Sequence, residues 1–163
     1  MIIIGIDNGL RGGIAIINGS AILKTPMPVI AGDKPQYDLQ NLVKILKSAE
    51  HVFVEKVQAM PWDGKSGCIT VGRGAGIVAG ICAALNIPIT EVGPKTWQKE
   101  MFADLPKSDT KQMSYLVCQR LWPREDWRAT SKCKKPHDGM CDAALIGEYG
   151  RRKIAPQQKT EEW

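Results

Sequence analysis

Four carboxylates stand at positions where a negative charge is costly. Asp7 and Glu55 each end a short apolar run, and Asp138 and Asp142 lie four residues apart in an apolar helical pattern. Acids four apart share one helix face, and grouped acids repel one another unless a cation lies between them. Hard divalent ions prefer carboxylate oxygens, and two such ions can activate water and stabilise the leaving oxygen of a phosphodiester. A turn-forming role would explain Asp7 alone equally well, but the four acids together favour a metal site.

Apolar runs of strand length place two of these acids at strand ends. Residues 2–7 and 12–17 are β-branched runs separated by Asn8-Gly9-Leu10-Arg11, which predicts a hairpin, and residues 52–55 predict a further strand. The other predicted elements are strands at 21–24 and 87–92, helices at 38–48, from between 66 and 72 to 86, 94–102, 108–121 and 138–149, and loops at 25–35, 58–67 and 123–136. This order predicts one α/β domain over residues 1–150, with a mixed sheet and helices on its faces, and a charged tail over residues 151–163.

Composition limits the class of protein. The 163 residues suffice for one domain, and 22 Lys and Arg against 17 Asp and Glu give a net charge of +5, which allows a polyanionic partner. Five cysteines without a C-x-x-C pair, and no basic leader before the apolar start, predict a reducing cytoplasm. The longest apolar stretch, residues 77–85, is about half the length of a spanning helix, so we expect no membrane association.

Taken in order, the motifs carry a family resemblance. The segments are Ile-Gly-Ile-Asp7-Asn-Gly, Val-Phe-Val-Glu55, Gly72-Arg73-Gly74-Ala-Gly76, Val92-Gly-Pro94-Lys95-Thr96-Trp97-Gln98-Lys99 and Pro-His137-Asp138-Gly-Met-Cys-Asp142-Ala-Ala. Together they resemble the RuvC-type Holliday junction resolvases, in the phage, bacterial and organellar branch of the ribonuclease H-like superfamily. The resemblance covers nearly residues 1–150, and its specificity lies in the ordered set of motifs.

This resemblance implies a fold and an activity. The expected fold is a ribonuclease H-like mixed five-stranded sheet flanked by helices on both faces. The expected activity is that of a homodimeric, Mg²⁺-dependent endonuclease, in which Mn²⁺ can substitute. It would nick opposed strands of a four-way DNA junction symmetrically and leave 5′-phosphates, in a bacterial or phage-infected cytoplasm or in an organelle. By position, the residues matching the family's metal ligands are Asp7, Glu55, Asp138 and Asp142.

Two further residues are candidates for the catalytic site. His137 precedes Asp138, and either residue could fill the third metal-ligand position, since many bacterial relatives space the last two positions by three rather than four. His137 could also relay a proton or cap the helix. Lys111 matches a basic residue that the resemblance places near the scissile phosphate, where it could offset developing charge.

Basic residues near the predicted acidic edge are candidates for contacts with DNA phosphates. Junction DNA brings many phosphates together, so distributed positive charge matters more than base-reading groups. The resemblance implies that the loop after Glu55 enters the junction, where Trp62 or Met60 could stack on an unpaired base, although Trp62 could equally anchor the loop. The predicted DNA-binding residues are Lys56, Gln58, Met60, Trp62, Lys65, Arg73, Lys107, Lys132, Lys134 and Lys135.

A stripe of small residues runs along the helix predicted to end at residue 86. Gly72, Gly76 and Gly80 recur every four residues. Because glycine costs about 1 kcal/mol in a helix interior, several of them indicate close backbone packing. The stripe could pack on the sheet or form a contact between subunits.

Other functions remain open at this point. Gly74-Ala-Gly76-Ile-Val-Ala79 with Glu91 imitates a dinucleotide-binding unit. A binding module could hold structural zinc through Cys133, His137 and Cys141, with Cys118 as a possible fourth ligand. A nuclease of the same fold could cut branched DNA more broadly. A two-lobed ATPase is excluded by length and by the lack of a second Asp-x-Gly loop.

Overall fold

The structure is a computed structural model that describes residues 1–57 and 64–154, except the side chains of residues 65 and 66. Most predicted elements are present within a few residues of their expected bounds. In chain order the elements are β1 Ile2–Asp7, β2 Gly13–Asn18, β3 Ala21–Pro26, β4 Val29–Ile30, β5 Gln36–Tyr37, α1 Leu39–Leu46, β6 His51–Glu55, α2 Lys65–Ala84, β7 Ile89–Val92, α3 Pro94–Met101, α4 Thr110–Leu121 and α5 Asp138–Ile154.

Five strands form one mixed sheet in the order β3-β2-β1-β6-β7. β1 pairs antiparallel with β2 and parallel with β6, and β7 continues the parallel half beside β6. Side chains on alternate positions of β1 enter two separate cores: Ile3 packs with α3, α4 and α5 residues, whereas Ile4 and Ile6 pack with α1 and α2 residues. The predicted five-stranded α/β fold with helices on both faces is confirmed.

Glycines allow α5 to lie directly on the backbone of β1 and β2. A Cβ on Gly5 would lie 2.0 Å from the Ala143 carbonyl oxygen, and one on Gly13 would lie 2.6 Å from Gly139. Gly12 and Gly139 also form a bridge between the β1–β2 turn and the start of α5. This close approach carries the first turns of α5 to the edge of the sheet where β1 ends.

Two segments differ from their predicted structure. The segment 25–35, predicted as a loop, contains the last residues of β3 and the whole of β4. β4 pairs with β5 in a separate two-stranded sheet. α5 runs to Ile154 instead of ending at residue 149, because Arg151 and Arg152 both pair with the buried carboxylate of Glu148. The predicted tail therefore begins as helix, and residues 155–163 lie outside the described part of the chain.

α2 is more apolar than the sequence analysis recognised. Its residues Gly67–Ala84 have a mean hydropathy of 1.5 over 18 residues, which is long and apolar enough to cross a membrane. The expectation that no segment reaches this length was wrong, because it left out the small residues that extend the run. Only 17% of this window is buried. One helix that passes a test of length and composition is weak evidence for a membrane span.

Candidate active site

The four acids lie at one edge of the sheet. β1 and β6 are parallel neighbours in which Ile6 pairs with Val54, so Asp7 and Glu55 end adjacent strands side by side. The bridge between Gly12 and the first turn of α5 brings Asp138 and Asp142 to the same edge. The structure therefore brings together all four carboxylates that the sequence analysis selected.

Asp7 is the acid most affected by its surroundings. Burial, followed by the charges of Glu55, Asp142 and Asp138, raises the pKa of Asp7 to about 8. The Asp7 carboxylate has no hydrogen bond or ion pair with any residue in the described ranges 1–57 and 64–154. An acid in this position holds its proton at neutral pH unless a cation compensates its charge.

Glu55 is oriented by a buried tryptophan. Trp97 Nε1 donates a hydrogen bond of 3.0 Å to Glu55 Oε1, and Trp97 is 0% exposed. Burial raises the pKa of Glu55, and the hydrogen bond from Trp97 opposes that rise. Asn8 Nδ2 donates to the Glu55 backbone carbonyl at 3.2 Å, which ties the turn after β1 to the end of β6.

Asp142 is held by a buried serine on α4. Ser114 Oγ donates to Asp142 Oδ1 at 2.6 Å, and Ser114 is 1% exposed. Burial raises the pKa of Asp142 to about 6, the hydrogen bond from Ser114 opposes the rise, and the charges of Glu55 and Asp138 add to it. The sequence analysis missed Ser114, although its sequence signal is a hydroxyl on the buried face of α4.

The exposed side of the site contains an ion pair. Lys111 Nζ lies 2.8 Å from Asp138 Oδ2, and their side chains are 67% and 46% exposed. The hydrogen bond with Asp138 raises the pKa of Lys111. Lys111, Asp138 and Lys135 line an open cleft of about 570 Å³, so the lysine predicted to contact a phosphate lies beside the acids.

His137 caps α5. The Met140 backbone N–H donates to His137 Nδ1 at 3.2 Å, and the Cys141 N–H donates to the His137 carbonyl. Of the three roles considered for His137, the structure shows the capping role. The metal-binding and proton-relay roles stay predictions.

The donor set matches a hard divalent cation in its chemistry. All four groups are carboxylates, the ligands that hard divalent cations prefer, and burial together with the three other acids raises the pKa of Asp7. Within the part of the chain that the structure describes, no three His, Cys, Asp or Glu groups are arranged to hold an ion. Three of the acids are instead turned toward Trp97, Ser114 and Lys111.

The candidate zinc ligands make other contacts in the structure, and zinc binding by them stays a prediction. Cys133, His137 and Cys141 do not form a group that could hold a metal among the described residues. Cys141 is 1% exposed, and the nearby Cys118 Sγ lies 3.5 Å from the Cys141 carbonyl oxygen, as in a core contact. The ring of His137 is engaged in capping the helix.

The dinucleotide-binding alternative is wrong for a topological reason. Such a unit needs its glycines in the turn between a strand and the N-terminus of a helix. Gly74 and Gly76 instead lie well inside α2, ten or more residues after Gly64, the residue that precedes the helix. A Cβ on Gly74 would lie 2.3 Å from the Tyr37 hydroxyl, so the lack of a side chain at Gly74 makes room for the Tyr37 ring.

The predicted DNA-binding residues fall into two groups. Those with described side chains are all exposed: Lys56, Arg73, Lys107, Lys132, Lys134 and Lys135. Lys56 directly follows Glu55, and Lys135 lines the cleft beside Asp138. Gln58, Met60 and Trp62 lie outside the described residues, as does the side chain of Lys65.

Known structures share this architecture. No protein-family model matches the sequence, and no curated protein sequence matches it. The structure of Thermus thermophilus RuvC aligns with a TM-score of 0.60 at 15% identity, covering 94% of this chain and 96% of that one. T. thermophilus RuvC in complex with a Holliday junction substrate aligns with a TM-score of 0.64 at 14% identity, covering 94% of this chain and 96% of that one. The yeast mitochondrial Holliday junction resolvase Ydc2 aligns with a TM-score of 0.60 at 15% identity, covering 92% of this chain and 77% of that one. The chain therefore has the fold of the RuvC-type Holliday junction resolvases.

Proposed function

We propose that this chain is a structure-selective DNA endonuclease that resolves four-way junctions by paired symmetric nicks. The observation that carries the proposal is the group of four carboxylates at one sheet edge, where burial and the neighbouring acids raise the pKa of Asp7 to about 8. One neighbour with this fold is a RuvC in complex with a Holliday junction substrate, and another is named as a Holliday junction resolvase. The basic residues around the cleft suit a phosphate-rich partner.

The same acids account for a dependence on metal. Asp7, Glu55, Asp138 and Asp142 would hold two Mg²⁺ ions, or Mn²⁺ in their place, and the ions would activate the attacking water and neutralise the leaving oxygen. The charges of the three other acids, which add to burial in raising the pKa of Asp7, favour cation binding in this position.

Residues of the chain prepare this site for a phosphodiester. Trp97 and Ser114 each fix one carboxylate oxygen, which limits the rotamers of Glu55 and Asp142. Lys111 can exchange its pairing with Asp138 for a DNA phosphate, because both groups are exposed and a surface ion pair is worth only about 0–1 kcal/mol. Lys135, in the same cleft, can bind a second phosphate.

A cleavage panel in Mg²⁺ tests the proposed activity. The substrates are a four-way junction, a flap, an RNA–DNA hybrid and a linear duplex. We expect nicks at symmetric positions in two opposed strands of the junction, with 5′-phosphate and 3′-hydroxyl ends. Comparable cutting of the flap would favour the broader branched-DNA nuclease, preference for the hybrid would indicate a ribonuclease, and no cutting of any substrate would refute the proposal.

Paired nicks also require two active sites, which we propose a homodimer supplies through α2. Within the described residues, no atom lies within 4 Å of the place a Cβ would occupy on Gly72, Gly76 or Gly80, so this stripe does not pack on the sheet. Gly76 and Gly80 line an apolar groove of about 450 Å³ between α1 and α2. The other lining residues are Leu39, Val43, Ile77, Ile81, Ala84 and Leu85. An apolar, small-residue helix face suits close packing against a second copy.

A charge placed in this groove should separate the subunits. We expect Gly76→Glu to convert a dimer into a monomer in sedimentation velocity, because a carboxylate would be buried without a partner. Ala103→Glu, at an exposed position beyond α3, is the matched control and should leave the dimer intact. A monomeric wild-type protein, or a Gly76→Glu protein that remains dimeric, would contradict the proposed interface.

A further inference from the structure

A second cavity lies beside the acids, on the α2 side of the sheet. It has a volume of about 500 Å³ and is formed by the β1–β2 turn, the segment leading into β5 and the first half of α2. Its lining residues are Leu10, Asp33, Lys34, Pro35, Gln36, Tyr37, Ile69, Thr70 and Arg73. The volume falls within the range of roughly 300–1,000 Å³ that is typical of small-molecule sites.

The lining combines groups that a nucleotide needs. Arg73 and Lys34 are exposed cations that can bind a phosphate, and Asp33 is the single acid among the lining residues that the structure describes. Leu10 and Ile69 supply apolar surface, and Ile69 is 70% exposed although it is a large aliphatic residue. Gln36 supplies an amide that can both donate to and accept from a base edge.

Tyr37 adds an observation that is independent of this composition. The residue is 6% exposed, and its buried hydroxyl has no hydrogen-bond partner among the described residues. The hydroxyl lies where a Cβ on Gly74 would be, so α2 fixes the position of the ring. The hydroxyl is buried against α2 at Gly74, so Tyr37 forms a fixed wall between the cavity and the core.

The cavity lies close to the cleavage site. Leu10 follows Asp7 by three residues in the same turn. Burial raises the pKa of Tyr37, the charge of Arg73 lowers it and the charge of Asp7 raises it, so Tyr37 lies within electrostatic range of both groups. The cavity wall at Leu10 and Tyr37 therefore lies near Asp7, where the proposed function puts the scissile phosphate.

We infer that this cavity binds the nucleotide next to the scissile phosphate, with its base against Leu10 and Ile69 and its phosphate on Arg73 and Lys34. The inference rests on the proposed function. It assigns to the cavity the selection of cut sites, because the base of one flanking nucleotide would be held in contact with protein while the neighbouring phosphate is cut.

A double-mutant cycle between protein and DNA tests the inference. Single-turnover nicking is measured for wild type and Ile69→Ser, on a junction with all its bases and on junctions with an abasic residue on either side of the cut. Because Ile69→Ser and loss of the base each remove one side of the same apolar contact, we expect Ile69→Ser and one of the abasic substitutions each to slow nicking by about 10-fold. Together they should slow it by no more than either one alone, because both remove the same contact.

Leu23→Ser is the matched control. Leu23 is 71% exposed on β3, outside the cavity, so its replacement should not change the response to abasic residues. The inference would be overturned if the slowing by Ile69→Ser and the slowing by the abasic residue multiplied at both flanking positions, or if neither abasic residue slowed nicking. In both cases nicking of the intact junction by the wild type would still support the proposed function. Failure of the wild type to nick the intact junction would instead overturn the proposed function, and this inference with it.

Discussion

Asp7→Asn is expected to abolish junction cutting while leaving junction binding intact. Asparagine keeps the shape of the side chain but cannot ionise to bind a cation, at a position where burial, followed by the charges of three other acids, raises the pKa of Asp7 to about 8. Loss of one preorganised electrostatic group in an active site costs about 10²–10³-fold in rate, and loss of a metal ligand should cost at least as much. Single-turnover nicking and gel-shift binding of the same four-way junction measure the two effects.

The control for this prediction is an acid that lies away from the site. Asp104 is exposed in the segment after α3, so Asp104→Asn makes the same change of side chain without touching the cluster. We expect Asp104→Asn to cut at the wild-type rate. An Asp7→Asn protein that cuts as fast as wild type would remove Asp7 from the catalytic site.

The same variant should change how stability depends on pH in metal-free buffer. The folded protein holds a proton on Asp7 up to about pH 8, whereas the unfolded chain releases it near 3.8. The folded state therefore binds more protons across this window, so its stability falls as pH rises from about 4 to about 8. With a chelator present, we expect the wild-type Tm to fall between pH 5 and 8. Asp7→Asn should flatten most of that fall, and equal slopes for the two proteins would contradict the assignment.

The positions of the acids could be predicted because each depends on local pattern. Apolar residues at successive positions of β1 and β6 predict buried strands, and a carboxylate that ends a buried strand has few structural reasons to be there. The spacing of Asp138 and Asp142 needs only the period of a helix. Their convergence required the parallel pairing of β1 with β6 and the approach of α5, which the ordered motifs implied and local pattern did not.

The partners of the acids could not be predicted in the same way. Trp97 stands in a quoted motif, but only the fold shows that its indole N–H reaches Glu55, 42 residues away in sequence. Ser114 lies on α4, where no motif in the surrounding sequence marks it, and it contacts Asp142 on a different helix. Such contacts depend on tertiary packing between α3, α4 and the sheet, whereas capping by His137 depends on neighbours along the chain.

The exposed stripe on α2 was ambiguous for a related reason. Gly72, Gly76 and Gly80 indicate close packing, but the spacing cannot specify the surface against which they pack. The structure shows this face open, while Gly74, two residues from Gly72, is buried against Tyr37. One helix thus uses glycine for an internal contact on one side and leaves small residues free on the other.

Gly5→Ala is expected to be strongly destabilising, although it adds a single methyl group. A Cβ at this position would lie 2.0 Å from the Ala143 carbonyl oxygen and 2.4 Å from the Gly147 nitrogen, both backbone atoms of α5. Backbone cannot rotate away as a side chain can, so β1 and α5 must separate, at a cost of about 3 kcal/mol. A loss of this size is a large part of the 5–15 kcal/mol typical of a domain. Urea denaturation of the two proteins measures it.

The matched control is Gly32→Ala, the same chemical change at a position where no atom of residues 1–57 or 64–154 lies within 4 Å of the added Cβ. We expect this variant to be as stable as wild type or about 0.4–1 kcal/mol more stable, since alanine restricts the unfolded chain. The comparison tests the site as well as the fold, because the contact at Gly5 sets the distance between β1, which ends in Asp7, and α5, which carries Asp142. A Gly5→Ala protein that unfolds at the wild-type urea concentration would show that α5 does not lie on β1, and the grouping of the four acids would fail with it.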